Sequence, residues 1–343
     1  MAGWWMAPIA AAALLAGCAS PTRLSLSDQR ALSGRVYVVT GASSGFGQGV
    51  AELLGRNRAS VVLAARRTEL LESVAQTVRA AGGQALVVTT DVSDPAAMER
   101  LAAAATERFG RIDVWINNAG VGVIGLFERI PAADHSRVID VNVKGVIYGS
   151  QAALTRFRQQ GAGVLVNIGS VESKIPIAYH ASYSASKHAV LGLGEALAQE
   201  LRLSRAKGIK VVTVMPWAAD TLYWQNTANY SGRRPRMILM DPAEMVASAI
   251  VRASLHPRKR VSVGWKAAAA NAADDLVPDL TAHIAANIVR DTQMRDAPPA
   301  PDTSGALHRP MPENGGVSGG NRERIKAEEA ERDREMREDT PQR

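Results

Sequence analysis

The fold can be predicted outward from Val36-Tyr37-Val38-Val39-Thr40-Gly41-Ala42-Ser43-Ser44-Gly45-Phe46-Gly47. The apolar, β-branched run predicts a buried strand, and the glycine-rich turn directly after it opens a helix over residues 48–57. Glycines in such a turn let the backbone bend sharply and approach a pyrophosphate. The amide groups and the positive end of the following helix would bind that charge. The stretch therefore indicates a strand–turn–helix unit able to hold a nucleotide.

The same alternation continues along the chain, where apolar runs predict strands and Ala/Leu-rich stretches predict helices. Strands are expected at residues 36–39, 60–63, 85–88, 114–116, 163–168, 210–214 and 260–263. Helices are expected at residues 48–57, 69–81, 96–109, 136–157, 182–206 and 242–255, with a further amphipathic stretch at 276–289. Continuous apolar runs suit strands buried on both faces. The pattern predicts an α/β domain over residues 34–289: a single doubly wound parallel sheet of the Rossmann type with helices on both faces.

Composition limits the class of protein. The chain has 343 residues, 46% hydrophobic and 21% charged, so it can bury a sizeable core, and wholesale disorder and fibrous repeats are excluded. Cys18 is the only cysteine, which excludes an intramolecular disulfide and a zinc site built on several cysteines. The net charge of +7 attracts phosphates, but charge alone leaves open whether they belong to a nucleotide, a nucleic acid or a membrane.

The two ends of the chain differ from the body. Residues 1–22 carry no charged side chain, and the apolar run at 8–17, too short to span a bilayer comfortably, is typical of a signal or anchor segment. Leu15-Ala16-Gly17-Cys18 resembles the lipobox of bacterial lipoproteins, although no basic residue precedes the apolar run; a misassigned start codon is the alternative. Residues 296–343, rich first in Pro and Gly and then in charges, predict a disordered tail or a solvated helix.

A series of motifs resembles the short-chain dehydrogenase/reductase (SDR) family over residues 34–221. They are the T-G-x-x-x-G-x-G turn at 40–47, Asp91-Val92, Asn117-Asn118-Ala119-Gly120, Asn142, Ser170 and the pair Tyr183 and Lys187. The resemblance implies a catalytic tetrad of Asn142, Ser170, Tyr183 and Lys187. It also implies a cofactor site formed by Thr40, Gly41, Ser43, Ser44, Gly45, Phe46, Gly47, Arg66, Asp91, Val92, Asn118, Ala119, Gly120, Tyr183, Lys187, Pro216 and Thr221.

The chemistry of the tetrad explains why these residue types occur together. Tyr183 and Lys187 are four residues apart and share one face of a helix. A phenol with an ordinary pKa of about 10 is a poor base, and a nearby ammonium favours its ionised form. The resemblance implies that Tyr183 exchanges a proton with the substrate oxygen and Ser170 stabilises charge on that oxygen. Lys187 would also hold the nicotinamide ribose, and Asn142 would fix a water that relays protons to Lys187. No metal is expected.

The end of the second strand, Leu63-Ala64-Ala65-Arg66-Arg67, indicates whether the site prefers NAD or NADP. An acidic residue in this region would bind the ribose hydroxyls of NAD, whereas an arginine accommodates the 2′-phosphate of NADP. Ala65 stands in the acidic position, Arg66 follows it, and Ser43 is a second candidate phosphate ligand. These residues predict NADP(H). The alternative is that Arg66 and Arg67 only begin a solvated helix.

After the sixth strand, the segment Pro216-Trp217-Ala218-Ala219-Asp220-Thr221 resembles the family's P-G-x-x-x-T segment, with Thr221 at the nicotinamide carboxamide. Trp217 departs from the family glycine, and an indole does not adopt a positive φ cheaply. The aromatic residues Trp217, Tyr223, Trp224 and Tyr230 fall in a substrate lid at about residues 217–240. Packing of this segment on a neighbouring subunit is the alternative, and a homo-oligomer is expected.

Together these features predict an NADP(H)-dependent oxidoreductase that interconverts a small-molecule carbonyl and alcohol, with an apolar substrate favoured by the lid. The alternatives are an NADP-binding scaffold without turnover and an SDR-type epimerase or dehydratase. No nucleic-acid partner is expected, because the basic run Arg233-Arg234-Pro235-Arg236 accompanies no nucleic-acid-binding motif. A cytoplasmic active site is favoured, with the N-terminus at most a membrane anchor; a lipoprotein with lipidated Cys18 is the alternative.

Overall fold

A computed structural model describes residues 23–311 and 315–338 of the chain. The apolar segment at 1–22, including Cys18, lies outside the described residues, as do residues 312–314 and 339–343. Within the described ranges, no helix is both long enough and apolar enough to cross a membrane.

Seven parallel strands form the central sheet, as the apolar runs predict. They are β1 (Val36–Thr40), β2 (Ser60–Ala65), β3 (Gln84–Thr89), β4 (Val114–Asn117), β6 (Gly163–Ile168), β7 (Ile209–Pro216) and β11 (Arg260–Val263), in the spatial order β11-β7-β6-β4-β1-β2-β3. Val38 of β1 is in register with Val62 on one side and Trp115 on the other. The strand order reverses between β1 and β4. In sheets of this kind, ligands bind beyond the carboxyl ends of the strands at such a reversal.

Helices cover both faces of the sheet, which confirms the predicted fold class. Tyr37 and Val39 belong to the core on one face and Val38 to the core on the other. Both faces of β1 are therefore buried, which is why its sequence is apolar without alternation. The main helices are α1 (Leu26–Leu32), α2 (Gly45–Arg56), α3 (Thr68–Ala80), α4 (Pro95–Phe109), α5 (Ala132–Ile139), α6 (Gly145–Gln160), α7 (Ala181–Leu203) and α9 (Ala243–Leu255).

Smaller elements build a cap over the carboxyl ends of the strands. The short strand β5 (Val123–Gly125) pairs with β9 (Ala228–Tyr230), and β8 (Ala219–Asp220) pairs with β10 (Asp241–Pro242). The helical turn α8 (Tyr223–Asn226) lies between β8 and β9. After β11 come α10 (Gly264–Leu276) and α11 (Pro278–Val289), where the sequence predicted only one amphipathic stretch.

The C-terminal residues, for which the sequence predicts a disordered tail or a solvated helix, contain a strap along the body and then a helix. Residues 297–311, which we call the strap, run across the body, and α12 (Asn321–Glu338) follows. Leu307 and Asn321 are both 0% exposed, and Thr303 exchanges two backbone hydrogen bonds with Asn229. A few buried side chains and many backbone hydrogen bonds to the cap hold this segment. Such contacts leave no periodic apolar pattern in the sequence, which explains why composition alone suggested disorder.

Candidate active site

A cavity of about 640 Å³ lies at the carboxyl ends of the strands, where the strand order reverses. It is lined by Ser170, Tyr183 and Lys187 of the predicted tetrad and by most of the predicted cofactor residues: Gly41, Ser43, Ser44, Gly45, Phe46, Arg66, Asp91, Val92, Asn118, Ala119, Gly120, Pro216 and Thr221. The lid residues Trp217, Tyr223 and Trp224 line it as well. The structure thus brings together residues that lie far apart in the chain.

Thr40 and Gly47 shape the glycine turn from behind the cavity wall. The Thr40 hydroxyl accepts hydrogen bonds from the backbone amides of Asn118 (2.9 Å) and Ala119 (3.1 Å), which fixes the loop after β4 against the loop after β1. A Cβ on Gly47 would overlap the carbonyl oxygen of Gly41. Gly41 itself has φ +67°, a conformation that glycine adopts at low cost. Thr40 and Gly47 are therefore structural supports of the turn.

Tyr183 and Lys187 lie on α7, one turn apart. The Lys187 ammonium is 5.4 Å from the centroid of the Tyr183 ring and donates a 2.9 Å hydrogen bond to the Ile168 carbonyl. Burial lowers the pKa of Lys187 to about 8, while the negative charge of Glu172 opposes that shift. Burial and Glu172 both raise the pKa of Tyr183, and hydrogen bonds with Ser170 and Tyr223 oppose them. The raised pKa keeps Tyr183 neutral at neutral pH, as a proton donor must be.

Asn142 lies behind this pair, in a π-helical segment (Asp140–Lys144) that joins α5 to α6. Its side-chain amide donates to the Val121 carbonyl (2.9 Å) and to the Ser186 hydroxyl (3.0 Å), and its oxygen accepts from the Val121 amide (2.9 Å). A Cβ on Gly120 would lie 3.5 Å from the Asn142 oxygen and 3.8 Å from the Lys187 ammonium. Asn142 and Lys187 therefore flank the same glycine, although Asn142 itself does not line the cavity.

Glu172 is a buried carboxylate that the sequence analysis did not single out. It accepts a 2.6 Å hydrogen bond from the Ser184 hydroxyl and lies 3.1 Å from the His180 ring. It lines the cavity, and its charge raises the pKa values of Tyr183, Lys187 and Tyr223. Its position two residues after Ser170 was the available signal, because a short helical turn (Val171–Ser173) follows the strand there.

Arg66 lies at the cavity wall, as predicted, but its guanidinium is engaged by the strap. It donates to the carbonyls of Ala306 (2.7 Å), Leu307 (3.1 Å) and His308 (3.3 Å). Arg67 donates to the strap carbonyl of Met311 (3.1 Å) and also reaches the glycine turn, where its Nη2 donates to the hydroxyls of Ser43 (2.9 Å) and Ser44 (2.7 Å). Both arginines line the cavity, and Arg67 directly precedes the first residue of α3.

Asp91 pairs with Arg137 at 2.7 Å. Hydrogen bonds from Ser93 and the charge of Arg137 outweigh burial and lower the pKa of Asp91. Val92 is buried beside it.

Trp217 directly follows β7 and is not among the described residues with positive φ. The departure from the family glycine therefore requires no left-handed backbone here. Its ring packs against the apolar cluster that contains Ile175 and Ile177, which also line the cavity. The expected strain on the loop is absent because the chain leaves the strand in an ordinary conformation.

The rest of the predicted lid covers the catalytic side chains. The Tyr223 ring is 5.6 Å from the Tyr183 ring, and Trp224 donates a 3.0 Å hydrogen bond to the Ala219 carbonyl. The Tyr230 hydroxyl donates to Asp134 (2.5 Å), and Tyr230 is not among the residues that line the cavity. Two helices that the motifs did not involve, α10 and α11, close the far side of the cavity with Ala270, Ala273, Ile284 and Ile288.

The residues present fit a dinucleotide. The glycine turn exposes Ser43, Ser44 and Phe46 to the cavity at the start of α2, two arginines stand at one end, and buried Lys187 stands at the other. Backbone amides and a positive helix end suit a pyrophosphate. Within the described part of the chain, no group of three or more His, Cys, Asp or Glu side chains could hold a metal ion.

The fold and this site define a nucleotide-binding oxidoreductase, and comparison with known proteins gives the family. The family model described as short chain dehydrogenase matches residues 35–230, and the chain belongs to that family. The chain is 32% identical over 290 residues to the uncharacterised oxidoreductase YxnA of Bacillus subtilis, which covers 84% of this chain and 80% of YxnA. It is 33% identical over 226 residues to an uncharacterised oxidoreductase of Staphylococcus haemolyticus, covering 66% of this chain and 93% of the relative.

Two solved structures share the architecture. One is a short-chain dehydrogenase/reductase of Burkholderia phymatum in complex with NAD, with a TM-score of 0.65 and 29% identity, covering 73% of this chain and 95% of the other. The second is an alcohol dehydrogenase from the archaeon Thermococcus sibiricus complexed with 5-hydroxy-NADP, with a TM-score of 0.59 and 25% identity, covering 67% and 95%. The predicted family and fold are confirmed.

Proposed function

We propose that this protein is an NADP(H)-dependent oxidoreductase that interconverts a carbonyl and an alcohol on an apolar substrate. The observation that carries the proposal is that Tyr183, Ser170 and Lys187 line the same cavity as the glycine turn. The bound nicotinamide would supply or accept the hydride, which no side chain can do.

The side chains would handle the proton and the charge on oxygen. The Tyr183 hydroxyl would donate a proton to a carbonyl oxygen during reduction and take one from an alcohol during oxidation. Ser170 would donate a hydrogen bond to the same oxygen and stabilise its negative charge. The Lys187 ammonium, 5.4 Å from the Tyr183 ring, would favour the ionised phenol, as a nearby cation does in general. Burial and the charge of Glu172 act in the opposite direction. Asn142, held by Val121 and Ser186, would position the backbone beside Lys187.

The preference for NADP(H) rests on charge at the end of β2. Ala65 offers no carboxylate to the adenosine ribose, whereas Arg66 and Arg67 border the cavity beside Ser43. A 2′-phosphate carries the charge that two arginines attract, and its oxygens match their planar donors. The two solved relatives differ in their bound cofactor, so the preference rests on these residues of the chain.

The preference for an apolar substrate rests on the wall beyond the catalytic residues. That wall is formed by Ile175, Ile177, Trp217, Met237, Ala270 and Ile284. Side chains of this kind gain from excluding water from an apolar ligand and offer few partners to a charged one. The homo-oligomer stays a prediction from the sequence. So does the cytoplasmic active site, with the N-terminal segment at most a membrane anchor.

The test is NADPH consumption, followed by absorbance, with a panel of aldehydes and ketones. The proposal expects oxidation of NADPH that depends on an apolar carbonyl compound and is lost in Tyr183→Phe. Binding of NADPH without consumption by any compound of the panel would favour the scaffold alternative. Interconversion of a substrate with no net change in NADPH would favour an epimerase or dehydratase.

A further inference from the structure

The strap (residues 297–311) lies along the rim of the cavity at the end that holds Arg66 and Arg67. Its first half follows the cap: Arg234 donates a backbone hydrogen bond to Pro298 (2.8 Å), and Asn229 and Thr303 bond each other in both directions (2.8 and 2.9 Å). The Ala306 amide then donates to the Asn226 carbonyl (2.8 Å). The strap is therefore joined to the lid as an added antiparallel segment.

The second half of the strap crosses from the lid to the end of β2. There the Arg66 guanidinium binds three consecutive strap carbonyls, those of Ala306, Leu307 and His308. Arg137 donates to the Leu307 carbonyl as well (3.1 Å). Arg67, which also lines the cavity, donates to the Met311 carbonyl (3.1 Å), so two successive arginines after β2 tie the strap to the sheet.

Two side chains seat the strap at this point. Leu307 is fully buried among Val123, Ile130 and Val138. The His308 ring lies 2.8 Å from the carboxylate of Asp134, which is itself buried. Leu307 by apolar contacts and His308 by its contact with Asp134 fix the position of the strap on the body.

The strap borders the cavity without filling it. Ala306, Pro310 and Met311 line the same cavity of about 640 Å³ that Tyr183 and Lys187 line at its other end. Arg66, Arg67 and Asp91 lie beside these strap residues, where the sequence places the adenosine half of a dinucleotide. Because the strap lines the cavity and leaves its volume open, it can cover a bound dinucleotide without occupying the dinucleotide's place.

We propose that the strap is the outer wall of the adenosine end of the cofactor site and that it retains the bound dinucleotide. The inference rests on the proposed function only in requiring that a dinucleotide binds in the cavity. Release of NADPH then requires the strap to leave Arg66 and Arg67, so weakening the strap's contacts speeds dissociation. The residues that carry this role are Gly305, Leu307 and His308, which lie outside the catalytic machinery.

Gly305 offers a sharp test. It has φ +51°, and an added Cβ would come within 2.8 Å of the Thr227 carbonyl group and closer still to the Asn226 carbonyl oxygen. Gly305→Ala must therefore displace the strap. Gly110 also has a positive φ (+76°), but an added Cβ there meets nothing within 4 Å. Gly110→Ala, at the end of α4, is the matched control for the strain of a left-handed alanine.

The first measurement is the dissociation rate of NADPH in the full chain, followed by its fluorescence after rapid mixing with excess NADP⁺. We expect Gly305→Ala to raise the rate at least about tenfold and Gly110→Ala to leave it unchanged, because a weakened complex differs from the original mainly in how fast it dissociates. His308→Ala, which leaves the strap backbone unaltered, should give an intermediate increase and covers the case in which Gly305→Ala fails to fold. Equal rates in all folded variants would overturn the proposal.

The second measurement is amide hydrogen exchange of residues 303–308, with and without NADPH. A retaining wall predicts slower exchange with NADPH bound, whereas a segment that occupies the cofactor's place predicts faster exchange and would overturn the proposal. Unchanged exchange would overturn it too. If the wild-type chain binds no NADPH, the proposed function fails as well. If NADPH binds and is consumed while strap variants behave as the control, only the strap inference fails.

Discussion

The Lys187 ammonium lies 5.4 Å from the centroid of the Tyr183 ring, and both side chains border one cavity. Tyr183 is the group that can transfer a proton there, since its hydroxyl also meets Ser170 and Tyr223. Replacing Tyr183 by Phe should reduce turnover by roughly 10² or more, the scale for a positioned proton donor, and leave NADPH affinity nearly intact. Steady-state rates and NADPH fluorescence titration check this. Near-wild-type turnover would reject the assigned mechanism.

Glu172 should set the pH dependence of the reaction. Its negative charge disfavours the ionised phenol and raises the pKa of Tyr183. Glu172→Gln therefore lowers that pKa, and the rise of alcohol oxidation with pH should begin at lower pH. Ser184→Ala, which removes a hydrogen bond to Glu172 without removing its charge, is the control and should shift the profile less. The measurement is the pH profile of kcat/KM for alcohol oxidation. A profile that does not shift in Glu172→Gln would contradict the electrostatic role of Glu172.

Lys187 should make the protein more stable as pH rises from about 8. Its pKa is lowered to about 8 in the fold, against an ordinary value of 10.5, because burial penalises the ammonium. The unfolded chain therefore binds more protons than the folded chain in this window, and the free energy of unfolding increases with pH. Lys187→Met should flatten this increase above a pH of about 8, and Lys207→Met, at an exposed position, should not. Urea unfolding across that pH range measures it.

The two arginines should differ in their effects on cofactor affinity. Arg67→Ala should lose on the order of 1.5 to 3 kcal/mol of binding free energy for NADPH and little for NADH, because it removes a charged donor beside Ser43. Arg66→Ala should lower the affinity for NADH more than Arg67→Ala does, because Arg66 donates to three strap carbonyls and Arg67 to one. Dissociation constants of both cofactors check this. If Arg67→Ala lowered the affinities for NADPH and NADH equally, Arg67 would have a structural role and would not bind the 2′-phosphate.

Trp217 should favour bulky apolar substrates. At about 25 cal/mol per Å², shielding roughly 60 Å² of substrate contributes about 1.5 kcal/mol, a little over tenfold in affinity. Trp217→Ala should raise KM for bulky ketones or aldehydes by about that factor and leave small polar carbonyls unchanged. Trp265→Ala is the control, since Trp265 is exposed on α10 and does not line the cavity. An equal effect on all substrates would make Trp217 a structural residue of the loop.

The sheet, the glycine turn and the family could be predicted from the sequence, because these depend on local patterns. Val36–Val39 is apolar without alternation because both faces of the sheet are covered, and Gly41 and Gly47 are required by the turn itself. The spacing of Tyr183 and Lys187 likewise follows from the helix period.

The surroundings of these motifs, in contrast, depend on the tertiary structure. Glu172 meets Tyr183 and Lys187 through the packing of the turn after β6 against α7, and Arg66 meets strap carbonyls 240 to 242 positions away. Every residue has a backbone carbonyl, so the sequence does not show which carbonyls an arginine will bind. A single buried leucine, such as Leu307, produces no periodic apolar pattern. Contacts of that kind depend on where the whole chain folds back on itself, which is why the strap could not be read from its composition.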